Sequence, residues 1–183
     1  MKHLGTKRLE TERLVLRRFT AEDGNAMFAN WASDPEVTKF LTWPAHGSAD
    51  ISAMILADWI SHYEEVDFYQ WAIVLKDFGQ PIGSISVVNK AEEVGAVEIG
   101  YCIGKQWWHR GITTEALQRV IDFFFREVGA NRVEAKHDVN NPNSGAVMGK
   151  CGMRREGILR QAGKNNQGVC DLCIYGILAE DRA

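Results

Sequence analysis

The sequence has no apolar run approaching the roughly 18 residues that a membrane span requires. Its opening, Met1 to Leu9, alternates charged and apolar side chains and lacks the apolar core of a secretory signal. Charge of one sign is equally scarce, with 21 Lys and Arg against 24 Asp and Glu, a formal net charge of -3 and no block of like charges. That removes the basic footprint of a dedicated nucleic-acid binder. Cysteine is limited to Cys102, Cys151, Cys170 and Cys173, which without an export signal are expected to be reduced thiols in the cytoplasm rather than a disulfide framework. Cys170 and Cys173 form a CxxC, but no second Cys or His pair stands at finger-like spacing, and the period-two pattern around them sends the two thiols to opposite faces of a strand. The five histidines are scattered, and no metal site is expected. No repeat, low-complexity tract or linker interrupts the 183 residues, of which 45% are hydrophobic, so one domain spanning 1–183 is expected.

What is present divides by periodicity. Leu14 and Leu16 alternate with Arg13, Val15 and Arg17 as a first strand with one polar face, and Thr20 with Asp23 three residues on marks a helix entry. A helix over about 21–31 follows, then a short helical piece after Asp34-Pro35, and a longer helix over 50–63 with Ile51, Met54, Ile55, Ile60 and Tyr63 as its apolar residues. The β-branched runs 71–76 and 82–89 flank a turn and make a hairpin, and 96–104 is a third strand with Val97, Ile99, Tyr101 and Ile103 on one side. The clearest helix is 112–128, whose Leu117, Val120, Ile121, Phe124, Phe125 and Val128 form one stripe before a terminating Gly129. A strand over 132–140, a short helix opened by Asn141-Pro142, and a hairpin over 153–178 complete the chain.

The segment from Glu98 to Leu117 carries the chemistry. A strand ends, a loop turns at Gly111, and a helix begins with Thr113 and Thr114 in its first turn. Unpaired amides at such a helix start, reinforced by the helix dipole, suit an anionic group such as pyrophosphate. No lysine follows the glycine as a P-loop needs, and the three-glycine dinucleotide fingerprint is missing. Trp108-His109-Arg110-Gly111-Ile112-Thr113 resembles the acetyl-CoA motif of the GNAT superfamily of N-acetyltransferases, with Trp108 in place of Arg or Gln and Thr113 in place of Gly or Ala. Thr11 to Arg17, Asp34 to Phe40, Glu98-Ile99-Gly100-Tyr101, Asn141-Pro142-Asn143-Ser144, Cys151-Gly152-Met153 and Glu156-Gly157 are similar, in order, to the ribosomal-protein acetyltransferases of RimJ and RimL type.

The resemblance implies an α+β fold, the GNAT fold, with a bulged, mostly antiparallel central sheet flanked by helices. It implies acetyl-CoA as cosubstrate and direct attack on it by a primary amine, a protein N-terminus such as that of a ribosomal protein or a small amine. A noncatalytic acyl-CoA sensor on the same fold is the alternative. The coenzyme would lie along Ile103, Trp108, His109, Arg110, Gly111, Ile112, Thr113, Thr114, Asn141 and Ser144, with a bulge in the strand carrying Glu98 freeing an amide near Ile103 for the thioester carbonyl. Glu98 stands at the position of the general base in several members, or is a salt-bridged strand residue. Ser144 would face the coenzyme sulfur, or complete the helix cap, and Met148 occupies the position where many members carry a tyrosine. Asn141 reads first as an N-cap and second as a coenzyme ligand. The carboxylate that some Rim-type enzymes place after a Gln-Ala pair is replaced by Gly163.

Overall fold

The computed structural model describes residues 1–182. Its strands are β1 (Leu9–Glu10), β2 (Leu14–Arg17), β3 (Gln70–Leu75), β4 (Pro81–Ala91), β5 (Ala96–Ile103), β6 (Arg132–Asp138), β7 (Arg154–Asn165) and β8 (Gly168–Leu178). The α-helices are α1 (Gly24–Met27), α2 (Pro35–Thr38), α3 (Ala49–Ser61), α4 (Ile112–Phe123) and α5 (Pro142–Lys150). The strands form one sheet in the order β1-β2-β3-β4-β5-β6-β8-β7. Neighbours are antiparallel except β5 with β6. A parallel pair needs a crossover, and α4 supplies it.

Each face of the sheet buries its own apolar layer. Val97, Ile99, Ile103, Val133 and Ala135 pack against Leu117, Val120, Ile121 and Phe124 on the side of α4 and α5. Val15, Ala72 and Val74 pack against Phe19, Met27, Trp31 and Leu56 on the other. The first strand therefore lacks the polar face its flanking arginines suggest, because Val15 is buried as well as Leu14 and Leu16. The expected helix 21–31 is a 3-10 turn, α1, and a wider π turn through Ala32. Its entry matches the sequence: the Thr20 amide donates to Asp23, whose carboxylate also takes both guanidinium nitrogens of Arg17. Similarly, α4 widens into a π turn, Phe124–Val128, before Gly129 ends it at φ 73°.

Helix α3 is rotated relative to the face read from its apolar residues. Ser52 and Leu56 are buried, whereas Met54 is 72% exposed and Ile51 41%. Spacing from Ser52 through Leu56 to Ile60 and Tyr63 follows one helix face, and Ser52 is drawn inward by a 2.7 Å hydrogen bond with His46 Nδ1.

The feature that positions the site is an opening in the sheet. β5 and β6 pair only over Ala96–Glu98 with Arg132–Glu134, and separate beyond them. A bulge lies beside the opening, but not on the strand of Glu98. The pairs Val87–Ile99 and Asn89–Glu98 leave Val88 of β4 as the extra residue. Val88 folds over Gly100, where a Cβ would come within 2.8 Å of its Cγ1.

Candidate functional site

The opening separates two cavities. One, of about 440 Å³, is walled by the end of β5, the loop 107–111, the start of α4 and α5. All ten residues singled out for the coenzyme line it: Ile103, Trp108, His109, Arg110, Gly111, Ile112, Thr113, Thr114, Asn141 and Ser144.

Backbone geometry gives its far end a shape that could hold an anion. His109 at φ 60° and Gly111 at φ 73° are both left-handed, with Arg110 between them, an alternation that turns successive N–H groups inward. The Glu115 amide makes the first bond of the following helix, to Gly111 O at 3.0 Å, while the amides from Gly111 to Thr114 find no acceptor among the described residues. Arg13 braces this turn by donating to Arg110 O at 3.0 Å and pairing with Glu115 at 2.6 Å. Thr11 and the Arg13 amide bind the same carboxylate. Burial works to raise the pKa of Glu115, and these bonds outweigh it and hold the carboxyl below its usual range. The Thr11-Glu12-Arg13 signature thus acts at a distance, on the loop that follows β5.

Trp108 has a bracing role. Its indole Nε1 donates to Ile103 O at 2.9 Å, and its ring packs between the two apolar layers. Ile103 is opposite Gly83 and the Gly104 amide bonds Ile82 O. That register makes Ile103 a non-hydrogen-bonded position of the β4–β5 ladder, so its amide points away from β4 toward the opening.

Asn141 takes the N-cap position of α5, with Pro142 following as expected, but without a side-chain cap. Its carbonyl instead accepts from the Ser144 amide at 3.2 Å, and its residue lines both cavities. Ser144 is likewise free of a capping duty, because its hydroxyl lies 3.1 Å from the Tyr101 phenol, which also donates to Ser144 O at 3.0 Å. The close seat of α5 on β6 requires Gly145, where a Cβ would meet His137 Nε2 at 2.6 Å. Met148, at the expected tyrosine position, is buried in the core.

The second cavity, of about 280 Å³, lies on the other side and shares Phe40, Leu41, Tyr101, Cys102, Asn141 and Ser144 with the first. Glu98 belongs to it alone and is ion-paired with Lys136 at 2.7 Å. Glu98 is thus a salt-bridged strand residue that also lines a cavity. Burial would lower the Lys136 pKa, but Glu98 and Glu134 raise it above the usual lysine value. Trp43 and Trp59 line this cavity, whereas Trp31 and Trp71 are wholly buried core. The β7–β8 turn holds the adjoining segment: Asn166 donates from its side chain to Thr38 O and Trp43 O, and from its amide to Leu41 O.

Sequence reasoning missed Tyr101, Lys136 and Asn166 as site residues. Tyr101 carried a signal, since it sits on the alternation face opposite Glu98 and hence toward α5. Lys136 and Asn166 carried none. Among the described residues no group of three His, Cys, Asp or Glu side chains could hold a metal, and no helix is long and apolar enough to cross a membrane.

Residues 13–154 match the family model described as an acetyltransferase (GNAT) domain. The chain is 32% identical over 177 residues to the uncharacterized N-acetyltransferase p20 of Bacillus licheniformis, covering 96% of this chain and 98% of that one. It is 31% identical over 102 residues to the ribosomal-protein-serine acetyltransferase of Escherichia coli, covering 55% and 56%. The structure of RimL, an L7/L12 α-N-protein acetyltransferase in complex with coenzyme A, superposes with a TM-score of 0.83 at 20% identity over 94% and 98% of the two chains.

Proposed function

This chain belongs to the GNAT acetyltransferase family, with similarity to its RimJ/RimL-like branch, and we propose that it transfers the acetyl group of acetyl-CoA directly to a primary amine, a protein N-terminus or a small amine. The enzyme class and its cosubstrate come with the family. The single observation that supports direct transfer is the opening between β5 and β6, with one cavity on each side and Ile103's unpaired amide at the boundary. Donor and acceptor approaching from opposite sides need no covalent enzyme intermediate.

The residues divide the work by chemistry. The amides of Gly111 to Thr114, with Arg110 and Lys150 nearby, form a cradle that fits the coenzyme's pyrophosphate. The Ile103 amide is aimed where charge develops on the thioester oxygen, a donor that costs no reorganisation during reaction. Glu98, ion-paired with Lys136, accepts a proton from the incoming ammonium. Its help matters more for a lysine amine, with a pKa near 10.4, than for an α-amine near 8. Trp43 and Trp59 offer an apolar wall to the acceptor body. The absence of a membrane-crossing helix among the described residues suits a reaction in the cytoplasm.

The test is release of free thiol from acetyl-CoA on mixing with ribosomal proteins and small amines in parallel, with mass-spectrometric identification of the acetylated product. Amine-dependent thiol release with one acetyl group added is expected. Coenzyme binding without release toward any amine points instead to a sensor.

A further inference from the structure

We propose that Tyr101 positions the Ser144 hydroxyl, turning its proton toward the departing coenzyme sulfur, so that the thiolate leaves hydrogen-bonded rather than protonated. This rests on the N-acetyltransferase reading above.

The Tyr101 phenol has one proton and two acceptors within reach. Tyr101 Oη lies 3.0 Å from Ser144 O and 3.1 Å from Ser144 Oγ. A phenol has one proton to donate. When that proton is on the Ser144 carbonyl, the phenol oxygen accepts from Ser144 Oγ–H, and the serine proton faces away from the cavity. When the phenol proton is on Oγ, the serine proton is released toward the cavity that both residues line. The two arrangements differ by rotation of two O–H bonds, with no heavy atom displaced. Negative charge developing on a sulfur in that cavity favours the second arrangement, since charge-assisted hydrogen bonds are roughly twice as strong as neutral ones.

Neither hydroxyl is a proton source. Burial pushes the Tyr101 phenol well above its ordinary pKa, so it stays neutral through the reaction. Met148 is buried and has no proton to give. In the transfer Glu98 takes one proton from the ammonium and passes it to water, the neutral amine nitrogen forms a bond to the acetyl carbon, the carbon–sulfur bond breaks with its electron pair going to sulfur, and the nitrogen's second proton goes to the freed Glu98 carboxylate. The thiolate takes its own proton from water after release.

Local structure explains why the pair exists. Alternation along β5 puts Tyr101 on the α5 face, and Gly145 lets the first turn of α5 sit close enough to bring Ser144 over the phenol. The strand thus supplies a phenol to the cavity, whereas Met148 of the helix is buried in the core.

The experiment is a double-mutant cycle of Tyr101→Phe and Ser144→Ala in single-turnover acetyl transfer, with acetyl-CoA affinity and melting temperature measured for each variant. Each single variant should slow transfer about tenfold while leaving coenzyme affinity within about twofold, and Tyr101→Phe should cost less than about twofold more once Ser144 is already alanine. Equal losses in both backgrounds, or an unchanged rate in Tyr101→Phe, overturn the assignment. A second readout needs no turnover: the pH profile of alkylation at position 144 in the Ser144→Cys variant, resolved by mass spectrometry from the natural cysteines. Loss of the phenol donor in the Ser144→Cys, Tyr101→Phe double variant should move the profile to higher pH, and an unmoved profile overturns the pairing. Failure of the acetyltransferase reading is distinguishable, since it appears as a wild-type protein that releases no thiol with any amine.

Discussion

The two sides of the sheet opening are built from opposite materials. On the proposed coenzyme side, the short stretch from Ile103 to Thr114 supplies the longest run of the wall, and it brings backbone amides. On the acceptor side, side chains arrive from distant segments, among them Trp43, Trp59, Ser84, Glu98 and Lys136. A wall of amides is indifferent to the identity of its side chains, so departures from the family pattern at Trp108 and Thr113 leave those amides in place. A wall of side chains changes character with every substitution. One fold can therefore hold a donor by geometry and choose an acceptor by composition.

That contrast breaks most severely if a side chain is forced into the amide wall. Gly111→Glu places a carboxylate at a left-handed position in the cradle, and it should weaken acetyl-CoA binding at least a hundredfold by calorimetry. Near-normal affinity in a folded Gly111→Glu protein would show that the amides are not the anchor.

On the acceptor side, Glu98→Gln should lower turnover at neutral pH by about tenfold to a hundredfold, with acetyl-CoA affinity unchanged. The deficit should shrink as rising pH deprotonates the amine itself. A deficit of the same size at every pH assigns Glu98 to structure alone.

A smaller effect is expected at the turn that holds the acceptor wall. Asn166→Gly removes the side-chain bonds to Thr38 O and Trp43 O, and should raise the acceptor KM severalfold without altering coenzyme affinity. Equal changes in both constants would mean that the two sides are not independent.

The smallest effect concerns the Glu98–Lys136 pair, which is partly exposed and contributes little to stability. Lys136 has a raised pKa in the folded protein, so its contribution is fully present below the unfolded value of about 10.4 and is lost as pH rises through the folded one. The melting temperatures of wild type and Lys136→Met should differ slightly at neutral pH and converge in strong alkali. A gap that persists there belongs to packing of the lysine stem rather than to charge.

Much of this architecture was legible because it is local. The stripe from Leu117 to Val128, the stop at Gly129 and the turn at Gly111 follow from helix periodicity and left-handed glycine, and the amide cradle follows from where α4 starts. The errors were also local rules overtaken by packing. Asn141 takes the N-cap position but its side chain makes no cap bond; Ile51 and Met54 looked like core and face outward because Ser52 and Leu56 are held in their place. The bulge expected on the Glu98 strand lies on β4 at Val88, a choice made by the pairing of two strands rather than by either one.

The sequence by itself determined most of the strands and helices and their order, since each is encoded within a few neighbouring positions, and its family resemblance singled out ten residues that line one cavity. Only the tertiary structure decided which side chains meet. Tyr101 reaches Ser144 across 43 residues, Glu98 reaches Lys136 across 38, and Asn166 reaches Thr38 across 128. Such contacts arise when the sheet assembles and parts between β5 and β6, and no local periodicity encodes the distance between two residues that meet only through that assembly.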